Sequence, residues 1–467
     1  MSTFELFNPA TGLGFRKLPA DTGASINDKL KKARSAQTQW AKTSLADRLD
    51  CLRRFNRGLE QRADELAITM STETGKPVSQ ARNEILATPG RINYFIENVE
   101  RMSASRTPLV NGSPGGLPGQ GAMQESVTYD PLGVIANISA WNYPYFVSSN
   151  VFAPALLCGN AVLYKPSECA TLTGLAIQAL LHESGIPEDV FAIVLGAGDA
   201  GRSLLEADID GVFFTGSHDT GMKVASAAAM KLIPAQLELG GKDPVYVADD
   251  VDPTAAAEEL AEGAFYNAGQ SCCAVERIYV HRAVYFAFRA AFIEAVRKFR
   301  IGPPEAPETF IGPLTRESQL AVLDEQVSDA VAKGATLMLG GRRAEMRGWY
   351  FEPTVLCDVN HDMLVMREES FGPIIGIQEV ASDDEAVAHM DDTRYGLTAA
   401  VYSKDRARAV NILAQVSSGT SYWNCCDRVS PNVPWTGRGH SGLGSTLSEE
   451  GIRAFLQPRG WHLRSPA

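Results

Sequence analysis

Apolar residues recur at helical spacing from residue 26 to about residue 105. Leu52, Phe55, Leu59, Leu66 and Met70 share one face. Ser25 or Asn27 is placed to cap a first helix, and Ser44 stands before the run that opens at Leu45. Thr74-Gly75-Lys76-Pro77 breaks the pattern, and a further helix is predicted from about 78 to 102. Residues 107–121, rich in proline and glycine, read as a loop. Residues 123–129 alternate as a strand does, and Asp130-Pro131-Leu132-Gly133 turns the chain.

From Val134 the pattern changes to short apolar runs alternating with helical periods. Strands are predicted at 134–139, 161–164, 190–195, 211–214 and 232–239. The helices between them are predicted at 150–158, 171–183, 201–206 and 220–230. A second block repeats the alternation, with strands at 244–247, 276–280 and 335–339 and helices at 253–267, 285–299 and 318–333. Further units run from 374 to 416. After Gly442 a short helix and an edge strand at Trp461-His462-Leu463 are expected. This is the pattern of an α/β chain with doubly wound parallel sheets, whose ligands lie at the carboxyl ends of the strands.

The 467 residues suggest two or three domains. A formal net charge of -12 argues against a nucleic-acid or anionic-membrane partner, which would need a basic stripe. The start shows no basic region followed by an apolar one, and no run approaches the roughly 18 residues of a membrane span. A cytoplasmic protein is expected. Eight cysteines, two pairs of them adjacent, and seven singly placed histidines form neither a disulfide framework nor a metal-ligand spacing. No metal is expected.

Two stretches carry chemistry. Phe265-Tyr266-Asn267-Ala268-Gly269-Gln270-Ser271-Cys272-Cys273-Ala274 offers a thiol nucleophile, and Leu237-Glu238-Leu239-Gly240-Gly241-Lys242-Asp243-Pro244 offers a carboxylate base on a small-residue turn. Two segments are candidate phosphate sites. Gly196-Ala197-Gly198-Asp199-Ala200-Gly201 matches GxGxxG but lacks a following acidic strand end. Phe214-Thr215-Gly216-Ser217-His218-Asp219-Thr220-Gly221 runs a buried strand into a helix N-terminus, where N–H groups face an anion, with Asp219 pointing away.

These stretches, with Trp141-Asn142-Tyr143-Pro144, Lys165-Pro166-Ser167-Glu168 and Glu368-Glu369-Ser370-Phe371-Gly372-Pro373, resemble the signature blocks of the aldehyde dehydrogenase superfamily, in the family's order. The resemblance runs from Asn8 to Gly444. It implies two Rossmann-like domains plus a small β oligomerisation element. Residues 1–107 and 132–240 would bind NAD, 241–440 would form the catalytic domain, and 108–131 with 441–467 the oligomerisation element of a homodimer or homotetramer. Cys272 is the implied nucleophile, Asn142 the oxyanion donor and Glu238 the base that hydrolyses the thioester. The implied cofactor-binding residues are Trp141, Lys165, Ser167, Glu168, Gly216, Ser217, Gly221, Leu239, Glu369 and Phe371. NAD is favoured because Glu168 would repel a 2′-phosphate; NADP is the alternative. Cys273 is expected to pack away from the aldehyde.

The chain departs from the family pattern at two places. Asn150 and Val151 stand where many members carry an aromatic residue and a lysine, and Gly444-Ser445-Thr446 stands where many carry Gly-Arg-Glu. Both residues of a proposed proton route are thus absent, so Glu238 is expected to lose its proton another way. Tyr143, Trp435 and residues 423–429 are expected to line the substrate tunnel, with Arg428 a candidate partner for a substrate carboxylate. Asn150 argues against succinate semialdehyde. The rival readings are a dehydrogenase that passes the thioester to coenzyme A and a catalytically silent binding protein.

Overall fold

Two parallel sheets with helices on both faces carry most of the chain in the computed structural model, which describes residues 2–104 and 123–464. The predicted loop at 107–121 and the start of the expected oligomerisation element lie outside the described residues. The chain opens with an antiparallel hairpin, β1 (Thr3–Asn8) and β2 (Leu13–Pro19). Four helices follow: α1 (Gly23–Trp40), α2 (Leu45–Gln61), α3 (Ala63–Thr74) and α4 (Val78–Ser103).

The strand β3 (Met123–Pro131) leads into the first βα block. This block consists of β4 (Val134–Ile138), α5 (Pro144–Leu157), β5 (Ala161–Lys165), α6 (Thr171–Glu183), β6 (Phe191–Ile193), α7 (Gly198–Glu206), β7 (Gly211–Thr215), α8 (His218–Lys231) and β8 (Ala235–Glu238). The second block holds β9 (Pro244–Val247), α9 (Pro253–Phe265), β10 (Arg277–His281), α10 (Tyr285–Arg297), α11 (Ser318–Ala332), β11 (Thr336–Leu339), β12 (Thr354–Cys357), α12 (Leu364–Arg367), β13 (Ile374–Val380), α13 (Asp383–Asp391), β14 (Thr398–Tyr402), α14 (Arg406–Leu413) and β15 (Thr420–Trp423). The chain ends with β16 (Gly442–Leu443), α15 (Ser448–Arg453) and β17 (Leu456–Arg464).

The first sheet has the order β16-β8-β7-β4-β5-β6 and the second β11-β12-β13-β10-β9-β14-β15. β3 and β17 form a separate antiparallel ribbon, with Leu456 opposite Pro131. The central strands β4, β5, β9 and β14 are buried along their whole length, because helices cover both faces of each sheet. That is why they read in sequence as unbroken apolar runs.

Several boundaries differ from the sequence expectation. The first helix is capped by Thr22, not Ser25 or Asn27. Thr22 accepts from the Ser25 N–H, and the Ser25 hydroxyl accepts from the Thr22 N–H, a reciprocal capping box. The helix expected from 150 starts at Pro144, whose fixed φ suits the first helical turn. The helices expected from 201 and 220 begin at Gly198 and His218. The N-terminal hairpin and β12 were not anticipated. Residues 442–443, assigned above with the ribbon, instead pair antiparallel with β8 of the first sheet. Among the described residues no helix is long and apolar enough to cross a membrane, and no group of His, Cys, Asp and Glu is placed to hold a metal. All eight cysteines are free thiols.

Candidate active site

The carboxyl ends of β4, β5, β7 and β8 open into a cavity of about 1100 Å³. Its wall holds Cys272, Glu238 and Asn142 together with Trp141, Lys165, Ser167, Glu168, Gly216, Ser217, Leu239, Glu369 and Phe371. Of the implied cofactor residues only Gly221 is not in the wall. A Cβ there would lie 2.5 Å from Leu239 Cδ2, so Gly221 seats α8 against the turn that carries Leu239.

Cys272 reaches the wall on a contorted turn. After α9, Asn267 and Ala268 both take left-handed backbone angles (φ 54°, ψ 34°), which cost of order 1–3 kcal/mol each. Asn267 is held there by hydrogen bonds: its side-chain amide donates to the carbonyls of Asn142 (3.2 Å) and Gln270 (3.1 Å), and its N–H donates to Gln80. The same bonds tie the thiol's turn to Asn142. The two glycines after Glu238 allow a close approach. A Cβ on Gly240 would meet the Glu369 carboxylate at 2.3 Å, and one on Gly241 would meet the Cys272 carbonyl at 2.6 Å.

Cys272 is partly exposed, whereas Cys273 is buried. The Cys273 thiol donates to Asp427 Oδ1 (3.1 Å), and hydrogen bonding to Cys272 together with burial pushes it well above the usual thiol range. Asn142 is buried in the cavity wall; its Oδ1 is sealed without a partner, and its side-chain N–H groups donate to no protein group among the described residues and are left free for the cavity.

Glu238 sits at the end of β8. Gln236 and Thr446 each donate to its Oε1 at 2.9 Å, while Oε2 has no partner among the described residues. Burial pushes its carboxyl up to about 8 despite those bonds. Gln236 and Thr446 escaped the sequence reading. Thr446 lies in the segment that stands in place of the usual glutamate, and no spacing marks a hydroxyl as a partner of a carboxylate two hundred residues away.

The cofactor side is built from both blocks. Ser217 precedes α8 and its hydroxyl donates to Thr220 Oγ1 (3.1 Å) rather than accepting from a helix N–H, which leaves the first N–H groups of α8 uncapped beside the cavity. Glu168 pairs with Arg316 at 2.9 Å, and the Arg316 guanidinium lies 5.8 Å from the Trp141 ring centroid. Burial lowers the Lys165 pKa. Glu369 accepts from the Gly241 N–H (3.1 Å), and burial and then the Glu276 charge push it up to about 8. Phe371, at φ 43°, stands edge-on to Trp141 at 5.4 Å. Gly198 and Gly201 of the GxGxxG segment line the far end of the cavity beside Arg202, a place the sequence argument had discounted. Asp219 is also in the wall, with an exposed side chain beside His218.

The expected tunnel loop divides. Trp423 and Asn424 hydrogen-bond Ser403, Arg428 is exposed, and among the described residues none of the three bonds the thiol segment. Asp427 does, and Trp435 is buried with its backbone paired to Thr446.

A sequence description of the family named "Aldehyde dehydrogenase family" matches residues 1–460. The chain is 34% identical over 482 residues to the chloroplastic betaine aldehyde dehydrogenase of Amaranthus hypochondriacus, covering 99% of this chain and 95% of that protein. It superposes with TM-score 0.94 and 32% identity on an NAD-dependent aldehyde dehydrogenase from Sinorhizobium meliloti, covering 100% of this chain and 92% of that one. An NADP-dependent enzyme of E. coli superposes with the same score at 30% identity, covering 99% and 95%.

Proposed function

The chain belongs to the aldehyde dehydrogenase family, and we propose that it oxidises its aldehyde hydrolytically through Cys272, Asn142 and Glu238. It is an oxidoreductase, and NAD-dependent aldehyde oxidation is its general reaction. The observation that carries the residue assignment is that a thiol, a free amide donor and a protonatable carboxyl, distant in sequence, stand in the wall of one cavity. The nicotinamide fits that cavity. Two carboxylates, a helix N-terminus and a glycine without a Cβ at Gly216 face it from the sides that a ribose and a pyrophosphate would use. Lys165, Ser167 and Glu168 would hold the adenosine end, and Glu369 with Phe371 the nicotinamide end.

Cys272 attacks the carbonyl carbon, and the Asn142 amide with the Cys272 N–H stabilises the oxygen that becomes negative. When bound, the nicotinamide supplies the hydride acceptor. Glu238 then takes a proton from the water that hydrolyses the Cys272 thioester. Thr446, bonded to Glu238 Oε1, supports an exit for that proton where the usual glutamate is missing. A base of this kind would waste a thioester meant for coenzyme A, which argues against the acyl-transfer reading. In this reading residues 1–107 and 132–240 form the cofactor domain and 241–440 the catalytic domain, in a cytoplasmic homodimer or homotetramer assembled through the β3–β17 ribbon. Eight free thiols support a reducing compartment.

Only ionised Glu238 can accept a proton, and burial holds its carboxyl near 8, so hydrolysis-limited turnover should rise with pH and level off above about 8. Glu238→Gln should lower turnover about 10²- to 10⁴-fold and erase that inflection. A pH–rate profile checks both, and an inflection kept in the variant removes Glu238 as base.

In this reading Glu168 is the wall carboxylate that would meet a 2′-phosphate. Glu168→Ser should remove that repulsion, free Arg316, and raise the NADP-to-NAD ratio of kcat/KM by about tenfold or more. Initial rates with each cofactor decide it; an unmoved ratio places cofactor choice elsewhere.

A further inference from the structure

Arg91, on α4, is buried yet has no carboxylate partner. Its Nη1 makes one long hydrogen bond, 3.4 Å, to Asn150 Oδ1. Its other nitrogens donate to no protein group among the described residues. The guanidinium lies 3.8 Å from the Phe146 ring centroid, and Phe146 stacks on Tyr143 at 5.9 Å and 14°. Both rings are partly exposed rather than sealed in the core. Tyr143 adjoins Asn142, and the Cys272 and Cys273 thiols lie within electrostatic reach of the guanidinium.

The other charges nearby are already committed. Glu84 gives Oε2 to Lys76 at 2.5 Å and Oε1 to the N–H groups of Tyr145 and Phe146. Asp427 accepts from Ser271 (3.3 Å) and Cys273 (3.1 Å), and the Lys76 charge acts on it. Burial pushes the Asp427 carboxyl up to about 7, so near neutrality much of it is uncharged. Arg91 keeps its charge there even though burial lowers it to about 10. Arg91 is thus the cation near the thiols that no carboxylate among the described residues bonds, and it is a planar fork with free N–H groups. Such a fork matches a carboxylate in two parallel hydrogen bonds. An unpaired buried cation is costly for a fold to keep, and an anion arriving with the substrate would offset that cost.

We propose that Arg91 is the specificity-determining residue of the aldehyde site, and that the preferred substrate is an aldehyde bearing a carboxylate a few carbons from its carbonyl. This rests on the reading of Cys272 as the nucleophile. The cation that position 150 lacks is supplied from the neighbouring helix, which reverses the expectation drawn from Asn150 alone.

The test compares kcat/KM for three aldehydes of equal chain length, 4-oxobutanoate, butanal and 4-aminobutanal, with NAD. The unaltered protein should favour 4-oxobutanoate over butanal by at least about tenfold, mainly through KM. In Arg91→Gln that ratio should fall toward one, and Arg91→Lys, which keeps the charge but loses the fork, should lie between. Butanal or 4-aminobutanal used as well as 4-oxobutanoate by the unaltered protein would overturn the proposal and leave the Cys272 reading standing. That comparison needs no variant to fold. Equal losses on all three aldehydes in Arg91→Gln would show a structural role and overturn it as well. No turnover of any aldehyde by the unaltered protein would sink both readings.

Discussion

Cys272→Ala is expected to lower aldehyde-dependent reduction of NAD by roughly 10⁴-fold or more, with cofactor binding retained. The substitution deletes the atom that bonds to the carbonyl carbon. What it leaves, the Asn142 amide and the Glu238 carboxyl, can orient and polarise an aldehyde but cannot hold it as a thioester. Cys273 cannot take over. Its thiol is buried, donates to Asp427 and is held well above the usual thiol range, so little thiolate forms. Cys273→Ala should therefore cost no more than about tenfold, the scale of a packing change beside a site. Reduced-cofactor absorbance measures turnover, and calorimetry measures NAD binding. A Cys272→Ala protein within about tenfold of the parent would exclude the covalent route; equal losses in both cysteine variants would leave the identity of the nucleophile undecided between them.

Glu276→Ala is expected to cost about 3–5 kcal/mol of folding stability and to weaken cofactor binding as well. Glu276 Oε2 lies 2.5 Å from Lys242 Nζ, and both side chains are almost fully enclosed, at 4% and 0% exposure. The same carboxylate accepts from the N–H groups of Ser370 and Phe371, and Ser370 Oγ accepts from Lys242. Truncation thus strands an ammonium and two backbone donors in the interior. It also releases the turn that holds Phe371 at φ 43° and presents Glu369 to the cavity. A double variant, Lys242→Met with Glu276→Leu, should recover much of the stability but not the cofactor affinity, because it removes the charges without rebuilding the turn. Denaturant unfolding and the KM for NAD read the two effects separately. A loss below about 1 kcal/mol would mean that water reaches the pair.

Much of the architecture was legible because the strands of both sheets are covered on both faces and so read as apolar runs between helices. The α6 and β9 boundaries fall where the sequence places them. The N-terminal hairpin was not legible, since β2 is largely exposed on both faces and offers no alternation. The start of α5 was hidden because buried residues surround its first turns, leaving no polar face to mark the period. In the site, residues inside compact signatures were readable, since each signature places its chemistry on one short turn. Thr446, Arg316 and Arg91 were not. Each acquires its role only through a partner brought close by packing, Glu238, Glu168 and the Phe146–Tyr143 stack respectively.

The pairing of Gly442 with Glu238 and of Leu443 with Leu237 also constrains the order in which a nascent chain can mature. β8 is made about 200 residues before the segment that closes its outer edge. Until then the strand bearing Glu238 presents unpaired backbone groups along one side, the kind of edge that recruits other chains. The same late segment brings Thr446 to the carboxylate. Translation that stalls before residue 442 would release a product with its cofactor strands made, its base unbuttressed and a sticky edge exposed. Closure of that edge and completion of the catalytic centre are thus one event.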